Sequence, residues 1–113
     1  MRTLMILAFG AALIHSPLVQ AQPLTQSEIA EELVGRDLST KRRGMTVTLT
    51  LSPDGTVQVR APLGRVNGNW SFSGDQICMT IAMRGREQSN CTTYERVGQG
   101  IYRNAQGDMI TVR

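Results

Sequence analysis

The stretch from Met45 to Ala61 admits essentially one arrangement. Apolar Met45, Val47, Leu49 and Leu51 alternate with Thr46, Thr48 and Thr50. That period of two marks a half-buried strand with its threonine face toward water. "SPDGT" then turns the chain: Pro53 pre-sets the first turn position, and Gly55 supplies a positive φ, as in a three-residue hairpin loop. With Ser52 opposite Thr56, Leu51 faces Val57, Leu49 faces Val59 and Val47 faces Ala61. All the apolar residues then share one face, and a slip of one residue would move them to the other. A chain built around this hairpin is committed to a sheet with one covered face.

A second hairpin follows the same logic. "NWSFS" leads into Gly74-Asp75, a dipeptide suited to a two-residue turn. Ser73 opposite Gln76 pairs Phe72 with Ile77, Trp70 with Met79 and Gly68 with Ile81. Trp70, the only tryptophan, reads as a core cornerstone rather than a ligand platform. Between the hairpins, "APLGRVNGN" reads as a break, with Pro62, Gly64 and Gly68 interrupting regular structure. A two-residue turn at Arg84-Gly85 would place Cys78 directly opposite Cys91, at a non-hydrogen-bonded position where side chains come closest. A disulfide fits such a site, and closing a loop of about 14 residues is worth roughly 3 kcal/mol in the chain-entropy model. A redox pair would prefer C-x-x-C spacing and a partner that perturbs the thiol; neither is present. One tension accompanies this register: Asn90, Gln88 and Arg86 fall across from Met79, Ile81 and Met83. Either the hairpin tip projects beyond the core, or the loop is two residues longer and the bridge diagonal.

The chain opens with Arg2, an apolar run from Leu4 to Ile14, and Val19-Gln20-Ala21, the layout of a secretory signal peptide cleaved before Gln22. An uncleaved anchor is the alternative, although the run is shorter than the roughly 20 residues a membrane span needs. Cleavage at this point leaves 92 of the 113 residues as one domain, 22–113. It removes Arg2, so 11 of 12 basic residues remain against 9 acidic, a net charge of +2. Export favours oxidation of the two cysteines, and no stable membrane anchor is expected after cleavage.

The same cut removes His15, the only histidine. Ser-His-Asp and Cys-His chemistry is thereby excluded, as are histidine-based zinc sites, so no metal or cofactor is expected. Carboxylate pairs such as Glu87 with Glu95, or Asp75 with Asp108, are the only acid–base candidates, and turns or outward faces suit them better to solvation. No dense basic stripe of the kind that tracks nucleic acid is present. The densest run, Lys41-Arg42-Arg43, reads either as a solvated turn before a strand or as a contact for an acidic partner.

"LTQSEIAEELVG" predicts one helix over 25–35. Thr25 and Glu28 have capping-box spacing, Ile29 and Leu33 form the apolar stripe, and Gly35 ends it. After Cys91, "CTTYERV", "IYRN" and "MITVR" read as strands. The expected fold is therefore mainly β: an antiparallel meander of about seven strands, a small barrel or curled sheet, with one N-terminal helix.

The pattern formed by Leu24 to Arg36, Pro53 to Thr56, Gly68 to Cys78, Cys91 and Tyr94 resembles a group of small secreted alphaproteobacterial proteins of unknown function. That resemblance implies export and a clasped β-domain, and transfers no catalytic residue. Gly68-Asn69-Trp70 and Cys78 are also loosely similar to periplasmic inhibitors of secreted metalloproteases. Here Cys91 follows Cys78 too soon, and a later Trp is missing. The likeness implies that the arm Gln22 to Thr25 would enter a protease cleft.

These observations favour a non-enzymatic periplasmic or secreted binding module whose partner is a protein or envelope component. Candidate contacts are Lys41, Arg42, Arg43, Arg60 and Arg65, on loops, since so small a sheet is expected to use its apolar face for its own core. A small-ligand carrier is the second class: a barrel of about eight strands can hold one ligand. Against it, aromatic residues are few, and Met45, Met79, Met83 and Met109 read as core.

Overall fold

The computed structural model describes residues 22–113, so the expected signal segment and its cleavage site lie outside the described residues. Helix α1 spans Gln26–Glu32, shorter than the 25–35 expected. Its capping box is formed: Thr25 Oγ1 accepts from the Glu28 amide at 3.2 Å, and the Thr25 amide donates to Glu28 Oε1 at 2.8 Å. Leu33 caps the C-terminus, and Gly35, at φ 83°, turns the chain so that its amide reaches the Leu51 carbonyl at 2.7 Å. A helix of this length is unstable alone; Ile29 and Leu33, both 0 % exposed, hold it to the sheet.

Nine strands follow: β1 (Asp37–Arg42), β2 (Met45–Leu51), β3 (Thr56–Ala61), β4 (Gly64–Ser73), β5 (Gln76–Met83), β6 (Arg86–Thr92), β7 (Tyr94–Gly98), β8 (Ile101–Asn104) and β9 (Met109–Val112). They form one antiparallel sheet, ordered β6-β5-β4-β3-β2-β1-β9-β8-β7, curled into a half-barrel. Every neighbouring pair is antiparallel. Counting outward from β1 in both directions, the edge strands β6 and β7 therefore run the same way. Only Thr93 separates them, so they are two halves of one bent strand that leaves one edge of the sheet and joins the other.

The hairpin registers expected from sequence are present: Leu51 opposite Val57, Leu49 opposite Val59, Trp70 opposite Met79, Phe72 opposite Ile77, and Cys78 opposite Cys91. Two sequence expectations are corrected. Residues 62 and 63 make a tight turn rather than a break, and β4 runs unbroken for ten residues from Gly64. Gly68 belongs to that strand because a Cβ there would lie 2.3 Å from the Thr80 carbonyl oxygen, which is how glycine permits close strand approach in a curled sheet. Lys41 and Arg42 belong to strand β1, leaving Arg43 and Gly44 as the turn. The additional strand β1 and the bend at Thr93 raise the count from about seven to nine.

The core gathers at one end of the half-barrel. Leu38, Leu51, Val57, Ile77 and Ile110 meet Ile29 and Leu33 of the helix, with Leu24, Tyr94 and Tyr102 completing it. Trp70 and Phe72 pack edge-to-face, 5.1 Å between ring centroids, and Trp70 Nε1 donates to the Ser52 carbonyl at 2.8 Å. Glu32 ties helix to sheet by accepting from Arg96 and, at 2.6 Å, from the Tyr102 hydroxyl. Those donors, Arg96 before Tyr102, hold the Glu32 carboxyl below its ordinary range.

Candidate functional site

Up-and-down topology sends alternate hairpin turns to opposite ends. The turns at 52–55, 74–75 and 99–100 lie with the helix at the closed end. The turns at 43–44, 62–63 and 84–85 lie at the other end, which no described helix covers, while the 105–108 turn reaches from Arg42 near that end down to Thr92 and Thr93. The sheet's inner face is left open at the uncovered end, as a cup of about 510 Å³.

Each wall of the cup follows from register. Val47 and Leu49 from β2, Val59 from β3, and Met79, Ile81 and Met83 from β5 form an apolar wall. They continue the inward rows that begin at Leu51, Val57 and Ile77 in the core. Facing them are the amides of Gln88 and Asn90 on β6 and of Asn104 on β8. The tension noted in the cysteine register is thus resolved as a projecting tip: the pairing is direct, and every residue from Ala82 to Cys91 is exposed. Three methionines read as core are exposed, Met45 at 39 %, Met83 at 47 % and Met109 at 49 %; Met79 packs against the core. The apolar face is therefore not wholly consumed by the protein's own interior.

Positive charge collects at this end. Lys41, Arg42 and Arg43 lie at the first tip, Arg60 and Arg65 at the second, and Arg84 and Arg86 at the third. The carboxylates Glu28, Glu31, Glu32, Asp54 and Asp75 lie on the helix and the closed-end turns; the acidic exceptions at the open end are Glu87, next to Arg86, and Asp108, paired with Arg42. Topology thus brings the five expected contact residues to one end, but on two faces. Arg42 and Arg43 line the cup's mouth. Arg60 stands directly opposite Arg65 on the outer face, with Lys41 pointing the same way. Arg42 is paired with Asp108 at 3.1 Å, and Arg60 with Asp37 at 3.1 Å. Arg84 and Arg86 are absent from the expected contacts because sequence alone marks Arg84 as a turn residue and Arg86 as its flank.

Arg43 and Arg84 are the only non-glycine residues described with positive φ, at 52° and 55°. Each begins a two-residue turn completed by a glycine, the arrangement a type I′ turn requires, where Asn or Gly is the usual first residue. A bulky side chain in this region carries a cost of order 1 kcal/mol. Two guanidiniums are held at the rim in that way.

The disulfide joins Cys78 and Cys91 on the outer face, with a Cα separation of 3.9 Å. It fixes β6 to β5 two residues before the chain crosses to the other edge. The foot of the seam is closed by Thr92, which is buried: its Oγ1 donates to Gln106 Oε1 at 2.9 Å and accepts from the Ala105 amide at 3.0 Å. The two sheet edges differ. Along β7, the N-terminal arm is tied down by an isolated bridge from Pro23 to Glu95 and by the Leu24 amide donating to the Tyr94 carbonyl at 2.6 Å. Among the described residues no comparable segment lies along β6.

The acid–base candidates do not assemble. Asp75 is engaged by the Gln26 amide and Asp108 by Arg42, and Glu95 on β7 is occupied by Arg103, away from Glu87 near the β6 tip. Among the described residues no group of three or more His, Cys, Asp or Glu is placed to hold a metal ion, and no helix is long and apolar enough to cross a membrane. Compared with protein-family models, curated proteins and solved structures, the chain matches none.

Proposed function

We propose that this chain is an exported, non-enzymatic binding module that receives its partner at the open end of the half-barrel. One observation carries the reading: an apolar cup, open to solvent, ringed by arginines. A monomer seldom exposes contiguous apolar surface without use for it, and a volume of about 510 Å³ falls within the range of ligand sites. The guanidiniums favour a partner that carries negative charge. Export is supported by the disulfide, which persists in oxidising compartments.

The cup's volume also supports the second reading, a carrier for one small anionic amphiphile. Binding through the N-terminal arm has less support, since Leu24 is buried and Pro23 is bridged to Glu95.

The test is capture from a periplasmic fraction by the oxidised protein and by a variant with Arg42→Gln, Arg43→Gln and Arg84→Gln, at low and high salt. The reading expects one partner, protein or co-purifying amphiphile, to be lost from the variant and weakened by salt. Capture indifferent to the three substitutions would retire the open end as the site.

A further inference from the structure

Building on the binding-module reading, the geometry points to a specific kind of partner. We propose that the free edge of β6 accepts one strand of an extended polypeptide, antiparallel to it. Alternate apolar side chains of that strand enter the cup, and a carboxylate lies among the rim arginines.

The first argument is backbone accounting. In an antiparallel ladder, hydrogen-bonded and non-hydrogen-bonded pairs alternate. The 3.9 Å Cα separation of Cys78 and Cys91 marks a narrow, non-hydrogen-bonded pair. The pairs at Thr80↔Ser89 and Ala82↔Glu87 are then of the same type. The amides and carbonyls of Glu87, Ser89 and Cys91 therefore point away from β5, toward the open seam. Among the described residues they have no backbone partner. Three outward residues in alternation form the template that strand addition uses.

Strand direction supplies the second argument. Every strand pair in the sheet is antiparallel, so a strand antiparallel to β6 is the one that extends the pattern at its free edge. Proteins usually protect such edges, and this one does so at β7 with its own Pro23 and Leu24. At β6 none of the described residues gives cover, yet the disulfide holds the strand in place for pairing.

Chemistry selects the occupant. An acyl chain would satisfy the apolar wall but make no hydrogen bond to the β6 amides or to Gln88 and Asn90, so that edge would add nothing to its binding. A peptide strand satisfies both, since its side chains alternate while its backbone pairs. An antiparallel segment runs from the closed foot at Thr92 toward the rim. Its acidic residue then follows the apolar ones and meets Arg43, Arg84 and Arg86, none of which has an ion-pair partner among the described residues.

Ser89→Pro isolates the claim. It removes the central outward N–H and the Thr80–Ser89 hydroxyl contact of 3.0 Å while leaving the backbone ladder to β5 intact, and proline is tolerated on edge strands in this orientation. A displayed library of random octapeptides is selected on the oxidised protein, and enriched peptides are measured against wild type and Ser89→Pro. Dodecanoate serves as a separate probe of the cup. The proposal expects alternating apolar residues followed by Asp or Glu. It expects at least a tenfold rise in Kd for Ser89→Pro with dodecanoate binding unchanged, and slowed hydrogen exchange at Glu87, Ser89 and Cys91 in the peptide complex. The exchange readout stands even if the proline variant folds poorly. Enriched peptides that bind both proteins equally and leave those amides unprotected overturn strand addition. So does a wild-type dimer that Ser89→Pro converts to monomer, which gives the edge to a second copy. Dodecanoate binding without any enriched peptide overturns strand addition but leaves the open end as a site; no binding of either probe removes both readings.

Discussion

The closed and open ends of this half-barrel are made from the same strands and face the same interior, yet their inner residues differ in kind. At the closed end the inward row on β5 begins with Ile77, 0 % exposed beneath the helix; at the open end it finishes with Met83, 47 % exposed. On β1 the inward sequence is Leu38, Thr40, Arg42, and on β6, read from foot to tip, it is Thr92, Asn90, Gln88, Arg86. Burial demands apolar side chains only where water is excluded. Above that level the sheet is held by its ladders, its I′ turns and one disulfide. The lesson is that one end carries stability and leaves the other free to display chemistry.

Truncation breaks or sharpens this contrast most strongly. Ile29→Ala removes a wholly buried side chain that seals the closed end and should cost about 3 kcal/mol, within the usual 2–5 for such cavities. Met83→Ala should change stability by no more than about 0.5 kcal/mol, as for exposed positions. Urea denaturation of both variants measures the difference; similar losses would mean that the open end is packed after all.

The disulfide is next. Replacing Cys78 and Cys91 with Ser should cost roughly 2–3 kcal/mol, and the opening should be local. Amides of β6 should exchange much faster while those around Leu51 and Ile77 slow or quicken only with global stability. Uniform acceleration would show that the clasp supports the whole fold rather than its free edge.

Titration has the smallest effect near neutral pH and emerges only toward the alkaline and acid extremes. Burial, with a further contribution from the charge of Asp108, pushes the Tyr94 hydroxyl up to about 12. A raised folded-state value means that its stabilisation is intact below the unfolded value near 10 and is lost as pH rises from there toward 12, at about 1.4 kcal/mol per pH unit. Tyr94→Phe should flatten that alkaline limb. At the acid side the sign reverses. Glu32, held low by Arg96 and Tyr102, contributes stability above its ordinary value of 4.5 that fades as pH falls through the folded one. Met83→Ala should alter neither limb.

How far the sequence could be read follows the same divide. The register of Leu51 with Val57, of Phe72 with Ile77 and of Cys78 with Cys91 was legible because dry cores and tight turns impose period two and specific turn residues. The helix was legible from Thr25 and Glu28. Strand β1 was missed because Leu38 is its only fully buried residue, and the upper half of β4 because Gly64, Arg65 and Asn67 carry no apolar alternation. The cup was illegible for the same reason: its apolar wall looked like core, and nothing in the sequence showed where the helix would stop covering it. The basic tips at Arg84 and Arg86 became a rim only once topology placed three hairpins at one end.

Native-state hydrogen exchange resolved along the chain separates an end that holds the fold from an end left open. Amides at Leu51, Val57, Ile77 and Ile110 should exchange only through global unfolding. Amides in the β5–β6 tip, from Met83 to Ser89, should open at several kcal/mol less. Equal protection at both ends would contradict that division.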